Sequence, residues 1–219
     1  MLVSVCDRGN YPVVTFEGPA GEAHDWFPPL VGVQDGRRVY GWQAWSLQED
    51  PRATVVRSLK RFLSEAGPQT PVAIGGLETP LATLLAALAG ALRAALTGDS
   101  NLPGKVGEPL EVMLGLPAGT SSNQRFLTVD AFAAAGFSVL GLLNGPSAAS
   151  IEYGHSHREM ATTKEHILVF DLGGGTFDAS LVELDECSHA VVASEGIPTL
   201  GGDDFDGILA DLPCPIRTI

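Results

Sequence analysis

Three apolar, β-type runs follow one another near the C-terminal end of the chain: HILVFDLGGG, TFDASLVEL and HAVVASEG. Runs of this kind, bounded by turn residues, read as consecutive antiparallel strands. The first two flank a turn made of Gly173, Gly174, Gly175 and Thr176, which predicts a hairpin between Ile167 to Leu172 and Phe177 to Leu184. GGDDFDGILADL then opens a helix.

The stretch FDLGGGTFD, Phe170 to Asp178, joins two features that conflict for a simple anion. Glycines accept φ > 0 and carry no side chain, so successive N–H groups can converge on a phosphate. Thr176 adds a hydroxyl. Asp171 and Asp178 repel bare phosphate, but they can hold Mg²⁺ through its water shell, and Mg²⁺ arrives bridging nucleotide phosphates. A metal-bound polyphosphate satisfies both features.

The rest of the chain alternates strands and helices. LVSVC and YPVVTF read as a short strand pair turned through Asp7, Gly9 and Asn10, and PPLVGVQDGRRVYG as a hairpin turning at Asp35-Gly36. TVVRSLKRFLSEA, Thr54 to Ala66, has Val55, Leu59, Phe62 and Leu63 on one helical face and predicts an amphipathic helix stopped by Gly67-Pro68. A second helix is expected from Pro80 through Leu96, ended by Gly98. EVMLGLP, Glu111 to Pro117, is a continuous apolar run of the type buried parallel strands carry. Ser121 or Ser122 caps a following helix with Phe126, Val129, Phe132 and Ala133 at helical spacing, closed by Gly136. FSVLGLL reads as a strand, Asn144 as a cap, and PSAASIEYG as a helix. His155 to Glu165 is a polar hinge. The expected class is α/β.

Composition excludes several functions. A chain of 219 residues with 13 basic and 26 acidic residues carries a net charge of −13, which repels nucleic acid and anionic membranes. Cys6, Cys187 and Cys214 form neither a complete disulfide set nor a Cys-x-x-Cys pair, as expected of free thiols in a reducing compartment. The N-terminus does not read as a secretory signal, and the window Leu81 to Leu96, interrupted by Arg93, is shorter than the ~20 residues of a membrane span. The expected location is cytoplasmic.

Other features have simpler readings. Asp203, Asp204 and Asp206 could suggest a metal loop, but acids in a first helical turn are ordinary partners of the helix dipole. His155-Ser156-His157 lacks a third ligand and reads as a solvated loop. Gly98 to Lys105 has the wrong spacing for a Walker loop, and Val106 stands where that motif needs Ser or Thr. Trp42 and Trp45 read as packing residues with a wet edge.

FDLGGGTFD followed by TLGGDDFD, Thr199 to Asp206, resembles the second phosphate-binding hairpin and glycine turn of the seventy-kilodalton heat-shock chaperones of DnaK type, members of the actin-like ATPase superfamily. LPAGTSSNQRFLTVDAFAAAGFSVLGLLNGPSAASIEYG matches that family's strand, Gln-Arg helix, apolar strand, Asn-x-Pro turn and alanine-rich helix. RVYGWQAW sits at its Gly-x-x-Ala-Lys segment. The resemblance implies an actin-like ATPase, ribonuclease H-like fold: residues 1–160 as a first lobe, with 28–97 as its peripheral subdomain, and 161–219 as the start of a second. It implies ATP and Mg²⁺ as ligands. Gly173, Gly174, Gly175 and Thr176 would contact the β- and γ-phosphates, Gly201 and Gly202 would line the phosphate side of the cleft, and Asp171 and Asp178 would bind water on the metal. Asp171, Thr176 and Asp178 would be the catalytic set. Unfolded client proteins and co-chaperones would be engaged through sequence absent from this chain.

Departures from the family pattern open a second reading. Nothing before Tyr11 matches the family's Asp-Leu-Gly-Thr-Thr loop, Trp45 stands at the family lysine, Gly145 stands at the glutamate of the Asn-Glu-Pro turn, and Pro213 and Pro215 would break the last helix. The alternatives are an ATP-hydrolysing chaperone module and a catalytically silent scaffold or protein-interaction module of the same fold.

Overall fold

The computed structural model describes residues 1–57, 59–63, 67–102, 109–117, 119–156, 165–185 and 188–212. The protein is a mixed α/β structure whose chain divides into two compact units, Met1–Met113 with Ser122–Gly141, and Leu114–Ser121 with Leu142–Ile219.

The first unit begins with the expected antiparallel pairing. Val5 N–H donates to the Pro12 carbonyl at 3.0 Å and Val14 N–H to the Val3 carbonyl at 2.8 Å, with Arg8 and Gly9 at the bend. Strands β1 (Phe16–Glu17) and β2 (Ala23–His24) pair next, followed by the hairpin of β3 (Val31–Gln34) and β4 (Arg37–Tyr40). Asp35 and Gly36 both have positive φ there, the conformation a two-residue turn of type I′ requires. Helix α1 (Trp42–Trp45) follows, its two tryptophans packed with Trp26; Trp45 is partly exposed, as expected of a wet edge, whereas the indole nitrogen of Trp42 is buried without a hydrogen-bond partner, against that expectation.

The helix expected over Thr54 to Ala66 does not form. Thr54–Val56 is strand β5, added to the free edge of β3 to give the order β4-β3-β5, and Leu59–Leu63 is a short 3₁₀ segment. Three successive β-branched residues favour extended backbone, and the open hydrogen-bonding edge of β3 outweighs the helical spacing. Residues 58 and 64–66 of that expected helix lie outside the described residues.

A hairpin of β6 (Pro71–Ile74) and β7 (Leu77–Pro80) comes next; its sequence signal, Gly75-Gly76 between apolar runs, was available but is absent from the expectations above. Pro80 then precedes α2 (Leu81–Gly98), whose Leu81, Leu84, Leu88, Leu92, Ala95 and Leu96 are buried at helical spacing. By length and composition α2 is apolar enough to cross a membrane, but these residues form the centre of the unit's core with Phe16, Phe27, Val31, Val72 and Ile74.

Strand β8 (Leu110–Leu116) pairs with β9 (Phe137–Asn144), with α3 (Ser122–Ala134) between them in sequence. Two expectations need correction here. β8 is not continuously buried: Leu114 is covered while Met113 is exposed, the period-two pattern of a strand covered on one face. The buried face of α3 is set by Leu127 and Ala131 against α2; of the expected stripe, Phe132 packs against the core beside Phe137, whereas Phe126 and Ala133 are exposed. Gly136 ends α3 with φ +87°, as expected of a helix-terminal glycine.

The second unit contains α4 (Gly145–Ser156) and the antiparallel sheet β10 (Glu165–Leu172), β11 (Phe177–Asp185) and β12 (Ser188–Ile197), followed by α5 (Gly202–Asp211). The three-strand order and the following helix match the sequence reading. Val182 and Leu184 are buried, and α4 packs on all three strands. Two buried serines fasten this packing: Ser150 on α4 shares a hydrogen bond with His189 Nδ1 at 3.0 Å, and Ser180 meets Ser194 across β11 and β12 at 2.8 Å. The hinge expected over His155 to Glu165, the Walker-like Gly98 to Lys105 and the C-terminal Pro213 and Pro215 fall wholly or partly outside the described residues.

Candidate phosphate-binding hairpin

The β10–β11 ladder runs in register from Glu165 opposite Leu184 to Leu172 opposite Phe177. The turn is therefore Gly173 to Thr176, and Gly173 N–H closes it by donating to the Thr176 carbonyl at 2.9 Å. The register places Asp171 directly opposite Asp178. Facing residues on neighbouring strands project to the same side of a sheet, so both carboxylates share one face.

The N-terminus of α5 docks on this turn. A helix begins with backbone N–H groups that have no partner inside the helix. Here Gly202 N–H donates to the Gly173 carbonyl at 3.0 Å, and Asp203 N–H donates to the Gly174 carbonyl at 2.8 Å. Gly201 N–H donates to the Asp204 carboxylate at 2.8 Å, so Asp204 serves the helix end as the dipole reading expected. Gly201 is buried, and a side-chain carbon on it would lie 2.5 Å from the Gly174 carbonyl group and the Gly175 nitrogen. Only glycine allows that approach.

These two bonds orient the turn. A trans peptide unit directs its C=O and the following N–H in opposite directions, and none of the described residues has a cis peptide bond. With the Gly173 and Gly174 carbonyls held by α5, the N–H groups of Gly174 and Gly175 point away from that helix. Among the described residues, neither these two amides nor that of Thr176 meets a backbone acceptor outside the strand ladder. The N–H of Gly173, in contrast, is occupied by the turn itself.

The expected use of positive φ is not found at Gly173 or Gly174. Gly174 is also free of steric demand from the protein, since a side-chain carbon there would have nothing within 4 Å. The bare backbone at Gly174 is required by neither the fold nor the local conformation, and it leaves the main chain open to an external group.

Neighbouring segments of the same unit frame the two acids. A side-chain carbon on Gly145 would stand 3.9 Å from Asp171 Oδ2, and one on Gly119 would stand 4.0 Å from Asp178 Oδ1. Gly145, at the start of α4, thus adjoins Asp171. Asp178 is half-buried and Asp171 exposed. No group of three metal-ligating side chains occurs among the described residues, so these do not form a closed protein cage for a metal at the two acids. Two concavities of about 340 Å³ lie in the first unit, one lined by residues including Glu17, Trp42 and Asp99 and the other by residues including Val5, Cys6 and Asn101; neither contains the hairpin.

Sequence reasoning thus located the turn, both acids and the second glycine turn, and the structure brings all of them together. It missed the packing roles of Gly201 and Gly196, whose significance depends on contacts between strands and helix.

Comparison with known proteins agrees with this geometry. The family model described as Hsp70 protein matches residues 103–214. The chain is 36% identical over 214 residues to Chaperone protein HscA of Edwardsiella ictaluri, covering 87% of this chain and 32% of that protein. It is 36% identical over 200 residues to the Chaperone protein HscA homolog of Methylibium petroleiphilum, covering 82% and 30% respectively. With Chaperone protein HscA of Yersinia enterocolitica the identity is 35% over 213 residues, covering 87% and 32%. The chain spans about a third of the length of these curated relatives. These matches show that the chain belongs to the Hsp70 family.

Proposed function

We propose that this chain is the partial nucleotide-binding domain of an Hsp70-type chaperone, with an actin-like ATPase fold, and that the β10–β11 turn receives the terminal phosphates of Mg²⁺–ATP. The observation that carries this reading is the pinning of the Gly173 and Gly174 carbonyls by α5, which turns the next two N–H groups outward as a pair. Backbone amides presented together in this way suit phosphate oxygens.

The residues present fit a magnesium-bound nucleotide. Gly174, Gly175 and Thr176 offer N–H groups, and Thr176 adds a hydroxyl for the terminal phosphate. Asp171 and Asp178, on one face of the hairpin, would accept hydrogen bonds from water on the cation and orient a water for attack. Gly201 and Gly202 line the turn from the α5 side. When bound, Mg²⁺ would supply charge neutralisation to the nucleotide phosphates; the chain's own contribution is positioning. Client proteins and co-chaperones belong to this reading through the remaining length of the relatives, as does a cytoplasmic location, which suits the exposed free thiol of Cys6.

A second reading, a silent scaffold of the same family, is favoured by Gly145. That position adjoins Asp171, so a glutamate there would bring a third carboxylate to the pair, and this chain has none. The two readings separate by titrating the 219-residue chain with Mg²⁺–ATP and following its thermal unfolding. A nucleotide-binding domain gains about 2.7 kcal/mol of stability at ligand a hundredfold above its dissociation constant. A scaffold shows no shift.

A further inference from the structure

Gly196 lies in β12 directly opposite Asp178, near the end of the strand. Glycine inside a strand weakens it, because it packs nothing and loses much backbone freedom on folding, so its presence there marks a close approach. Its backbone does not have the positive φ that would require glycine. What it supplies is space. A side-chain carbon on Gly196 would lie 2.4 Å from Asp178 Oδ1 and 3.3 Å from its Cγ. The Asp178 carboxylate therefore leans across the sheet and occupies the volume a residue-196 side chain would take.

We infer that Gly196 is a positioning residue for the Asp178 carboxylate, setting the rotamer in which that acid faces the cation's hydration water. The inference rests on the nucleotide reading for its functional consequence, but its steric content stands independently. The nearest atom to the added carbon belongs to the far end of the Asp178 side chain, and the next, the Phe177 backbone carbonyl oxygen, is at 3.1 Å. An alanine at 196 is accommodated by turning the carboxylate away, with a small adjustment of that carbonyl. The strand remains and the acid is misdirected.

The test is a double-mutant cycle on the full chain with Gly196→Ala and Asp178→Ala, read in two ways. Without nucleotide, thermal unfolding is compared across the four proteins, and the ¹³Cγ resonance of Asp178 is compared between wild type and Gly196→Ala. The expected result is a displaced Asp178 resonance, and a cost of Gly196→Ala that disappears once Asp178 is alanine. With nucleotide, Gly196→Ala is expected to weaken the Mg²⁺-dependent part of ATP binding by about tenfold or more, the range seen when groups orienting a metal's ligands are altered. It should leave binding in EDTA unchanged and have no further effect in Asp178→Ala. An unmoved Asp178 resonance, or an equal stability loss in both backgrounds, overturns the inference, because Gly196 then serves the strand and not the acid. If wild type binds no Mg²⁺–ATP, the nucleotide reading fails, while the apo cycle still decides the steric assignment.

Discussion

Asp171 and Asp178 stand directly opposite each other across the β10–β11 ladder, with one residue on each strand between them and the glycine turn. Like charges facing across strands oppose folding by about 0.2–1 kcal/mol. A hairpin that keeps both has a use for them. Asp171→Asn is expected to raise the thermal stability of the nucleotide-free protein by an amount in that range. The same substitution should weaken Mg²⁺–ATP binding by about tenfold or more. Paired melting curves with and without Mg²⁺–ATP check both signs, and a substitution that lowers stability in both conditions contradicts the role.

Gly174 and Gly201 face each other, yet they should respond oppositely to alanine. At Gly174 the added carbon meets nothing within 4 Å and the backbone is of an ordinary type. Gly174→Ala should therefore stabilise the apo protein by about 0.4–1 kcal/mol, through reduced freedom of the unfolded chain. It should nevertheless impair nucleotide binding, because the carbon occupies the open approach to the turn. Urea unfolding and ATP titration of one variant test the two statements separately.

At Gly201 the added carbon would press on the Gly174 and Gly175 backbone at 2.5 Å. Backbone cannot rotate aside as a side chain can. Gly201→Ala should cost about 1–3 kcal/mol, the usual penalty for overpacking, and loosen the turn. Hydrogen exchange should show the Gly202 and Asp203 amides losing protection.

Asp50 supplies a pH-dependent prediction in the first unit. Hydrogen bonds from Arg52, and more weakly from Gln34, hold its carboxyl below its usual range. A lowered folded pKa contributes stability above the unfolded value, about 3.9, and that contribution disappears as pH falls through the folded value. Asp50→Asn should thus be less stable than wild type near neutral pH, with the gap closing under acid conditions. Arg52 is exposed and Asp50 only partly covered, so the effect is small and weakens with salt. Unfolding midpoints from pH 7 down to acid measure it.

The core of the first unit should be far more sensitive. Leu84 is fully buried in α2, and Leu84→Ala should cost about 2–5 kcal/mol in urea unfolding. A cost below that range would mean the helix is less closely packed than its burial indicates.

Much of this molecule is readable locally. Asp35-Gly36 specifies its own turn, Gly136 ends its helix, and the apolar runs bounded by turn residues between His166 and Gly196 specify three strands, because each signal involves residues within one hairpin or one helical turn. The misreading of Thr54 to Ala66 has the opposite origin. Its helical spacing was genuine, but the edge of β3, more than twenty residues earlier, provided partners for an extended segment. The face of α3 was misplaced in part for a related reason, since Phe132 packs as expected but α2 selects Leu127 and Ala131 over Phe126.

By itself, the amino-acid sequence determined the chemistry available: a glycine turn between two aspartates, a second glycine pair, and the absence of a lysine at Trp45 and a glutamate at Gly145. Tertiary structure alone decided how that chemistry is aimed. The α5 amides hold two turn carbonyls, Gly201 permits the contact, and Gly196 leaves space for Asp178, all through contacts between segments separated along the chain. Residue identity can offer an amide or a carboxylate, but direction comes from the neighbours that occupy its other sides.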